Sequence, residues 1–171
     1  EIAEDETFAI VAARGEAQAS PVNDHCVKAD VRGLQPGRTY FYRFLAGSGP
    51  SLVGRTRTAP TNADSLSVGL VSCANYAFGY FHAYGHLAQR DDIDLVLHTG
   101  DYIYEYGADE YPSTNLTIAG RAFDPDHEIV TLDDYYRRYQ QYHTDHNLLA
   151  LRAAKPLSVV WDDHEIANDA T

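Results

Sequence analysis

The chain contains no methionine, only two cysteines, and no apolar run that approaches the roughly 20 residues a membrane-spanning helix requires. We therefore expect no membrane span. The two cysteines, Cys26 and Cys73, do not define a disulfide framework, although a single bridge between them stays open. No secretory leader is recognisable and the first residue is Glu1, so we expect a processed or trimmed product.

Basic residues are scarce: 13 lysines and arginines face 25 aspartates and glutamates, which gives a net charge of −12. Nucleic acid is therefore not the expected partner, because phosphate backbones attract basic surfaces. Phosphate-ester substrates remain compatible with this charge if clustered carboxylates hold cations. With 44% hydrophobic residues, the 171-residue chain can form one ordinary domain or two small ones with a packed core.

The first segment, residues 1–58, has the pattern of an all-β unit. Apolar alternation predicts strands at 7–12 and 25–31, and a turn followed by a strand at 34–44. The run Leu34-Gln35-Pro36-Gly37-Arg38-Thr39-Tyr40 is similar to the tyrosine corner of fibronectin type III and related sandwiches. We therefore predict a small immunoglobulin- or fibronectin III-like β-sandwich, with a generic hairpin as the alternative.

A polar, turn-rich stretch at 59–65 predicts a linker, and residues 66–171 then alternate in the α/β manner. Short apolar runs predict three buried strands, at 66–72, 94–99 and 157–161. Helical spacing predicts helices at 80–90 and within 132–154. Apolar strands of this kind pair in parallel through right-handed crossovers.

Each of these three strands ends in side chains that can bind a cation. They are Cys73 and Asn75 after the first, Asp101 and Tyr104 after the second, and Asp162, Asp163, His164 and Glu165 after the third. In open α/β sheets, ligands bind beyond the carboxyl ends of parallel strands. We therefore expect the three clusters to converge at one edge of the sheet.

The types of side chain favour metal ions. A thiolate and a phenolate suit a strongly Lewis-acidic ion such as Fe3+, whereas carboxylates and an amide suit a harder ion such as Ca2+ or Mg2+. Two ions about 3.5–4 Å apart can clamp a phosphoryl group and generate hydroxide near neutral pH. Taken singly, each cluster has a structural explanation, as a solvated turn, a helix cap or a buried thiol. Their coincidence at three strand ends favours a metal site.

The same motifs resemble calcineurin-like metallophosphoesterases, and more closely the PhoD-like alkaline phosphatase and phosphodiesterase family. The matching segments are Ser72-Cys73, Ala77 to Phe81, His98 to Glu105, Tyr135 to Tyr139, and Trp161 to Glu165 with the nearby Asn168. The resemblance implies a small β-sandwich over 1–58 followed, at 66–171, by the N-terminal half of a metallophosphatase α/β sandwich. It also implies an alkaline phosphatase or phosphodiesterase that is secreted or periplasmic.

The resemblance further implies roles for individual residues. Cys73 and Tyr104 would bind Fe3+, Asp101 would bridge two metal positions, and Asp163 would bind the second ion. That ion would be Ca2+, with Mg2+, Mn2+ or Zn2+ as alternatives. His164 would contact the phosphate or protonate the leaving group, and Asn75 would lie near the phosphate. The predicted orienting residues are Asp162, Glu165 and Asn168.

Later histidine ligands of the Gly-His-x-His kind are missing from the chain, and His127, His143 and His146 do not form that motif. We therefore expect this chain to supply about half of the site, with the C-terminal half of the domain or another chain completing it. The isolated chain should then be inactive.

Two other functions stay open. One is a non-enzymatic secreted module that binds calcium structurally, but such a site needs neither Cys73 nor Tyr104. The other is a phosphoesterase of different specificity, acting on teichoic acid or phospholipid head groups.

Overall fold

A computed structural model describes residues 1–108, 110–111 and 114–170 and shows a mixed α/β protein. The first segment contains six short strands: β1 (Ile2–Ala3), β2 (Val11–Ala13), β3 (Thr39–Tyr42), β4 (Leu45–Ala46), β5 (Gly49–Pro50) and β6 (Gly54–Arg57). Four of them form an antiparallel sheet in the order β2-β1-β3-β6, and β4 and β5 form a separate hairpin. A 3-10 helix spans Pro21–Asn23.

The predicted turn and strand at 34–44 are confirmed, with β3 at their centre. Tyr40 is buried, and its hydroxyl oxygen accepts a hydrogen bond of 3.0 Å from the backbone N–H of Gln35. This is the contact expected of a tyrosine corner. The arrangement of this segment as a two-layer sandwich stays a prediction.

Two other predictions for this segment were wrong. Most of the strand expected at 7–12 is a turn, because the Asp5 carboxylate accepts hydrogen bonds from the backbone N–H groups of Thr7, Ala9 and Ile10. Phe8 has a φ of +61° there, so β2 begins only at Val11. These bonds give the backbone a local alternative to a strand.

The strand expected at 25–31 does not form. Asp24 and His25 both have left-handed backbone conformations that turn the chain after the 3-10 helix. The apolar residues that suggested alternation, such as Val27 and Val31, are not in the core. An alternating pattern predicts a strand only where one face is buried.

The second segment forms the predicted parallel sheet. Its strands are β7 (Val68–Val71), β8 (Leu95–His98) and β9 (Leu157–Val159), in that order across the sheet. β8 pairs in parallel with both neighbours, with Val68 opposite Leu95 and Val96 opposite Leu157. The prediction of parallel pairing is therefore confirmed.

In the described part of this segment, three helices accompany the sheet: α1 (His82–Ala88), α2 (Leu132–Tyr142) and α3 (His146–Ala154). A 3-10 helix spans Thr114–Leu116. The stretch predicted as helical at 132–154 forms two helices, each with its own N-cap. Thr131 and Asp134 form a capping box at α2, and the Asp145 carboxylate accepts from the N–H groups of Asn147 and Leu148 at α3.

The core lies between the helices and β8. α1 packs on α3, and Val96, Ile103, Tyr142 and Leu148 are fully buried. The two segments are joined by an ion pair of 2.7 Å between Arg57 and Asp94 and by other side-chain contacts. None of the helices in the described residues has the length and apolar character to cross a bilayer.

Candidate metal centre

The ends of β7 and β8 lie side by side. Backbone N–H groups of Cys73 and Ala74 donate to the carbonyl oxygens of Gly100 and Asp101, at 3.2 and 3.0 Å. Cys73 and Asp101 both have positive φ angles, of +58° and +53°. The chain therefore turns sharply at both strand ends, and the first two predicted clusters are adjacent.

The third cluster approaches the second at Gly100. This glycine has a φ of +109°, and a Cβ there would lie 2.4 Å from Asp162 Cβ and 2.7 Å from Asp162 N. No other residue type fits such a close backbone approach in this conformation. Gly100 thus allows the chain after β9 to lie against the turn that carries Asp101.

Glu165 connects the same two turns. Its buried carboxylate accepts hydrogen bonds from the N–H groups of Asp101, at 3.2 Å, and Asp162, at 2.7 Å. It also accepts from the N–H of Tyr102. Because the Glu165 carboxylate accepts from three backbone N–H groups, it fixes the positions of the two turns relative to each other. This is how a residue that orients the site would act.

Three side chains come together as a possible cation site. Potential ligand atoms of Asp101, Asp163 and His164 all lie within 4.8 Å of one another. Asp101 Oδ2 accepts a hydrogen bond of 3.1 Å from the Tyr104 hydroxyl, whereas its buried Oδ1 has no hydrogen-bond partner among the described residues. A buried carboxylate oxygen without a donor suits a cation, because leaving it unpaired is costly.

Tyr104 completes one side of this cluster. Burial, followed by the nearby charges of Asp101 and Cys73, raises the pKa of Tyr104 well above that of an ordinary phenol. A phenolate at this position therefore requires a positive charge to offset its burial and its acidic neighbours. A bound metal ion is such a charge, so the donor set fits the predicted phenolate ligand.

Three of the other predicted residues, Cys73, Asp162 and Asn168, lie outside this cluster. Cys73 is exposed and not disulfide-bonded, and it lies outside the group formed by Asp101, Asp163 and His164. Asp162 is exposed and contributes its backbone N–H, and the side chain of Asn168 donates to Asp169 at 3.0 Å.

Asp163 accepts a hydrogen bond from the backbone N–H of Asp169. This bond is the largest cause that lowers the pKa of Asp163, so the carboxylate stays ionised. An ionised Asp163 is in the state that metal binding requires.

Asn75 is buried beside these turns. Its side-chain oxygen accepts from the N–H of Ala77 at 3.0 Å, which fixes the orientation of the amide. Its Nδ2 is buried and has no acceptor among the described residues. Asn75 therefore holds an N–H group that could bind an anionic oxygen.

A residue without an assigned role in the sequence analysis pairs with His164. The Glu105 carboxylate is only 2% exposed, and its Oε2 lies 2.8 Å from His164 Nδ1. Its Oε1 accepts from the backbone N–H of Asn168 at 2.6 Å. A proton on Nδ1 would be held by Glu105, which leaves Nε2 for the site. The signal for Glu105 was its place next to Tyr104 in the matched motif.

His98 contacts the turn after β8, and the sequence analysis also gave it no role. Its Nδ1 accepts from the N–H of Gly100 at 3.3 Å, and its Nε2 lies 2.8 Å from the Tyr84 hydroxyl. Burial lowers the pKa of His98, so the ring is neutral and Nδ1 can accept.

The profile of the PhoD-like phosphatase N-terminal domain matches residues 1–60, and that of the PhoD-like phosphatase itself matches residues 67–170. The chain belongs to the PhoD-like phosphatase family. It is 42% identical over 174 residues to alkaline phosphatase D of Bacillus subtilis (strain 168), covering 99% of this chain and 29% of that protein. A solved structure titled "Structure of PhoD" superposes with a TM-score of 0.89 at 41% identity, covering 99% of this chain and 32% of that one.

These relatives confirm the family predicted from the motifs and the mixed α/β fold. The chain spans less than a third of the length of the relatives it matches.

Proposed function

We propose that the protein carrying this chain hydrolyses phosphate mono- or diesters with a metal-dependent site, about half of which this chain supplies. The observation that carries the proposal is the cluster of Asp101, Asp163 and His164 beyond the ends of the neighbouring strands β8 and β9, in a chain 42% identical to a protein named alkaline phosphatase D. Asp101 Oδ1, which has no hydrogen-bond partner among the described residues, supports a bound cation there. The division into a β-sandwich at 1–58, a linker and a half-domain from residue 66 is part of the same proposal.

The metals would be held by Asp101, Tyr104, Cys73 and Asp163. Fe3+ would bind at the thiolate and phenolate, and Ca2+ at the harder donors. Mg2+, Mn2+ and Zn2+ are alternatives to Ca2+. When bound, such ions supply Lewis acidity and a hydroxide nucleophile near neutral pH.

His164 and Asn75 would act on the substrate itself. Glu105 accepts the Nδ1–H of His164 and so fixes the ring, and when the imidazole carries both protons its Nε2–H can be donated to the leaving-group oxygen. The Nδ2–H of Asn75, which has no acceptor within the described part of the chain, can donate to a phosphate oxygen, where negative charge develops during the reaction. Asp162, Glu165 and Asn168 would keep these groups in position through the backbone contacts they make.

The alternative is a secreted module that binds calcium without catalysis. The pairing of Glu105 with His164 argues for the enzyme, because structural calcium sites use oxygen ligands and need no oriented imidazole. We also propose that the protein is exported, as the family resemblance implies.

Metal analysis of the full-length protein, combined with assays on a panel of phosphomonoesters and phosphodiesters, tests the proposal. We expect iron together with a second, harder cation, and hydrolysis that a chelator abolishes. Calcium as the sole metal, with no turnover of any ester, would favour the non-enzymatic module.

A further inference from the structure

A row of aromatic rings leads away from His164 to the protein surface. The Tyr106 ring centroid lies 5.3 Å from that of His164, Tyr111 follows at 5.5 Å from Tyr106, and Phe78 at 5.1 Å from Tyr111. The spacing of each pair falls in the range of favourable aromatic contacts. We call Tyr106, Tyr111 and Phe78 the aromatic row.

Among the described residues, the outer part of this row is open to solvent. Tyr111 is 51% exposed and Phe78 39%, although each ring is held by its neighbours at steep interplanar angles of 62° and 78°. Large aromatic side chains held in place while exposed offer contact area at a low entropic cost. Such surfaces characterise binding sites more often than isolated exposed residues do.

We propose that the aromatic row binds the leaving group of the substrate and that it selects alcohols carrying a planar, uncharged ring. This inference rests on the proposed function, in which His164 donates a proton to the leaving-group oxygen. The row begins at the His164 ring, so a leaving group beside that imidazole extends along it.

The chemistry of the row indicates the kind of group it accepts. None of its three side chains is charged, and the chain carries a net charge of −12, so a second phosphate or a carboxylate would be disfavoured. A planar ring can make offset or edge-to-face contacts with Tyr111 and Phe78, whereas a methyl group is too short to reach them.

The test compares phenyl phosphate, cyclohexyl phosphate and methyl phosphate as substrates of the full-length protein. Each monoester has one possible leaving group, and dividing each variant's kcat/KM by that of the parent removes differences in intrinsic reactivity. We expect Tyr111→Ala to lower kcat/KM about five- to tenfold for phenyl phosphate. The loss should be smaller for the cyclohexyl ester and under about twofold for the methyl ester.

Two further variants separate binding from folding. Tyr111→Phe should keep the preference because it keeps the ring, and Phe78→Ala should repeat the selective loss. Tyr80→Ala is the matched control, because Tyr80 is similarly exposed, at 49%, but contacts His82 and Arg121 outside the row. It should leave all three ratios unchanged.

The outcomes distinguish this inference from the proposed function. Equal losses for phenyl and methyl phosphate, or a selective loss in Tyr80→Ala, would overturn the role of the row. Phosphocholine, assayed as a fourth ester, should lose no more than methyl phosphate in Tyr111→Ala. A larger loss for phosphocholine than for phenyl phosphate would show a site for a cationic head group and overturn the choice of an uncharged ring. If the parent hydrolyses no ester, the proposed function fails, and this inference fails with it.

Discussion

Tyr104 is the residue whose chemistry depends most on a bound metal. Burial and the charges of Asp101 and Cys73 raise its pKa, so the phenolate needs a strongly Lewis-acidic ion. In the full-length protein, Tyr104→Phe should therefore abolish a visible phenolate-to-iron absorption band and most of the activity. Absorption spectra and kcat on a phosphomonoester measure both effects. Tyr136→Phe is the control, since its hydroxyl bonds only the distant Val22 carbonyl among the described contacts. Unchanged absorption and turnover in Tyr104→Phe would rule out iron at this residue.

Glu105 should control the behaviour of His164 rather than touch the substrate. Glu105→Gln keeps the shape of the side chain but removes the charge that holds the proton on Nδ1. We expect kcat to fall about 10- to 100-fold, the usual range for a residue that orients a functional histidine, and the pH–rate profile to shift. The exposed Glu110, whose carboxylate accepts from the Gly107 N–H, provides the matched control Glu110→Gln. A pH–rate profile identical to that of the parent would contradict this role.

At the level of single residues, the sequence identified which side chains occupy the strand ends but not how they pair. Asp101, Asp163 and His164 were all predicted and lie together, because parallel strands bring their carboxyl ends to one edge. Glu105 and His98 were missed as positioning residues. Their roles depend on contacts across 59 residues, to His164, and across 14, to Tyr84, which no local pattern encodes.

The turn after β8 is the element on which the site depends. Gly100→Ala would force a side chain into a φ of +109° and into the backbone of Asp162. We expect it to destabilise the protein by about 3 kcal/mol or more, since unfavourable φ and a backbone clash add. Thermal unfolding measures the loss. Gly15→Ala, where a Cβ meets nothing within 4 Å and φ is not positive, should change stability by less than about 0.5 kcal/mol. Similar melting temperatures for the two variants would contradict the argument.

The contact between α2 and α3 should make stability depend on pH. His143 follows α2, and burial together with the charge of Arg152 lowers its pKa to about 4. Between that value and the unfolded pKa of about 6.5, the unfolded state binds the proton and the folded state does not. The contribution of His143 to the free energy of unfolding is therefore complete above pH 6.5 and is lost as the pH falls towards 4. From pH 7 to pH 5 it amounts to at most about 2 kcal/mol.

His143→Gln removes this titration and serves as the test. Denaturant unfolding at pH 7 and pH 5 should show a smaller loss of stability in the variant than in the parent. His86→Gln, at an exposed histidine of α1, is the control. An equal pH dependence in parent and His143→Gln would show that the half-buried His143 does not set it.

The three strands of the parallel sheet were predictable, whereas two of the strands expected in the first segment were not. The runs that became β7, β8 and β9 are short, apolar and β-branched, which leaves few alternatives. The segments 7–12 and 25–31 were predicted as strands from apolar alternation, but hydrogen bonds to the Asp5 carboxylate and the left-handed conformations of Asp24 and His25 decide their conformation. Such turns depend on local hydrogen bonds, which the alternation of apolar residues does not reveal.

At the scale of the molecule, the parallel sheet has apolar side chains that the described residues do not cover. Leu70 of β7 is 68% exposed, and Val160 and Trp161, which follow β9, are also exposed. Parallel sheets are normally covered on both faces. Because the relatives are more than three times as long as this chain, we expect further chain to cover these residues in the complete protein.

The same consideration predicts that the isolated 171-residue chain has little or no phosphatase activity. Among the described residues, the side chains proposed to hold the metals are Asp101, Tyr104, Cys73 and Asp163, and a catalytic pair of metals requires more donors than these four. Hydrolysis of p-nitrophenyl phosphate by the purified chain, with added Fe3+ and Ca2+, should stay at the background rate, while the full-length protein assayed in parallel turns over. Circular dichroism would first establish that the isolated chain is folded. Robust, chelator-sensitive hydrolysis by the folded chain would show that the essential ligands all lie within it, and the proposal of a half-site would then be wrong.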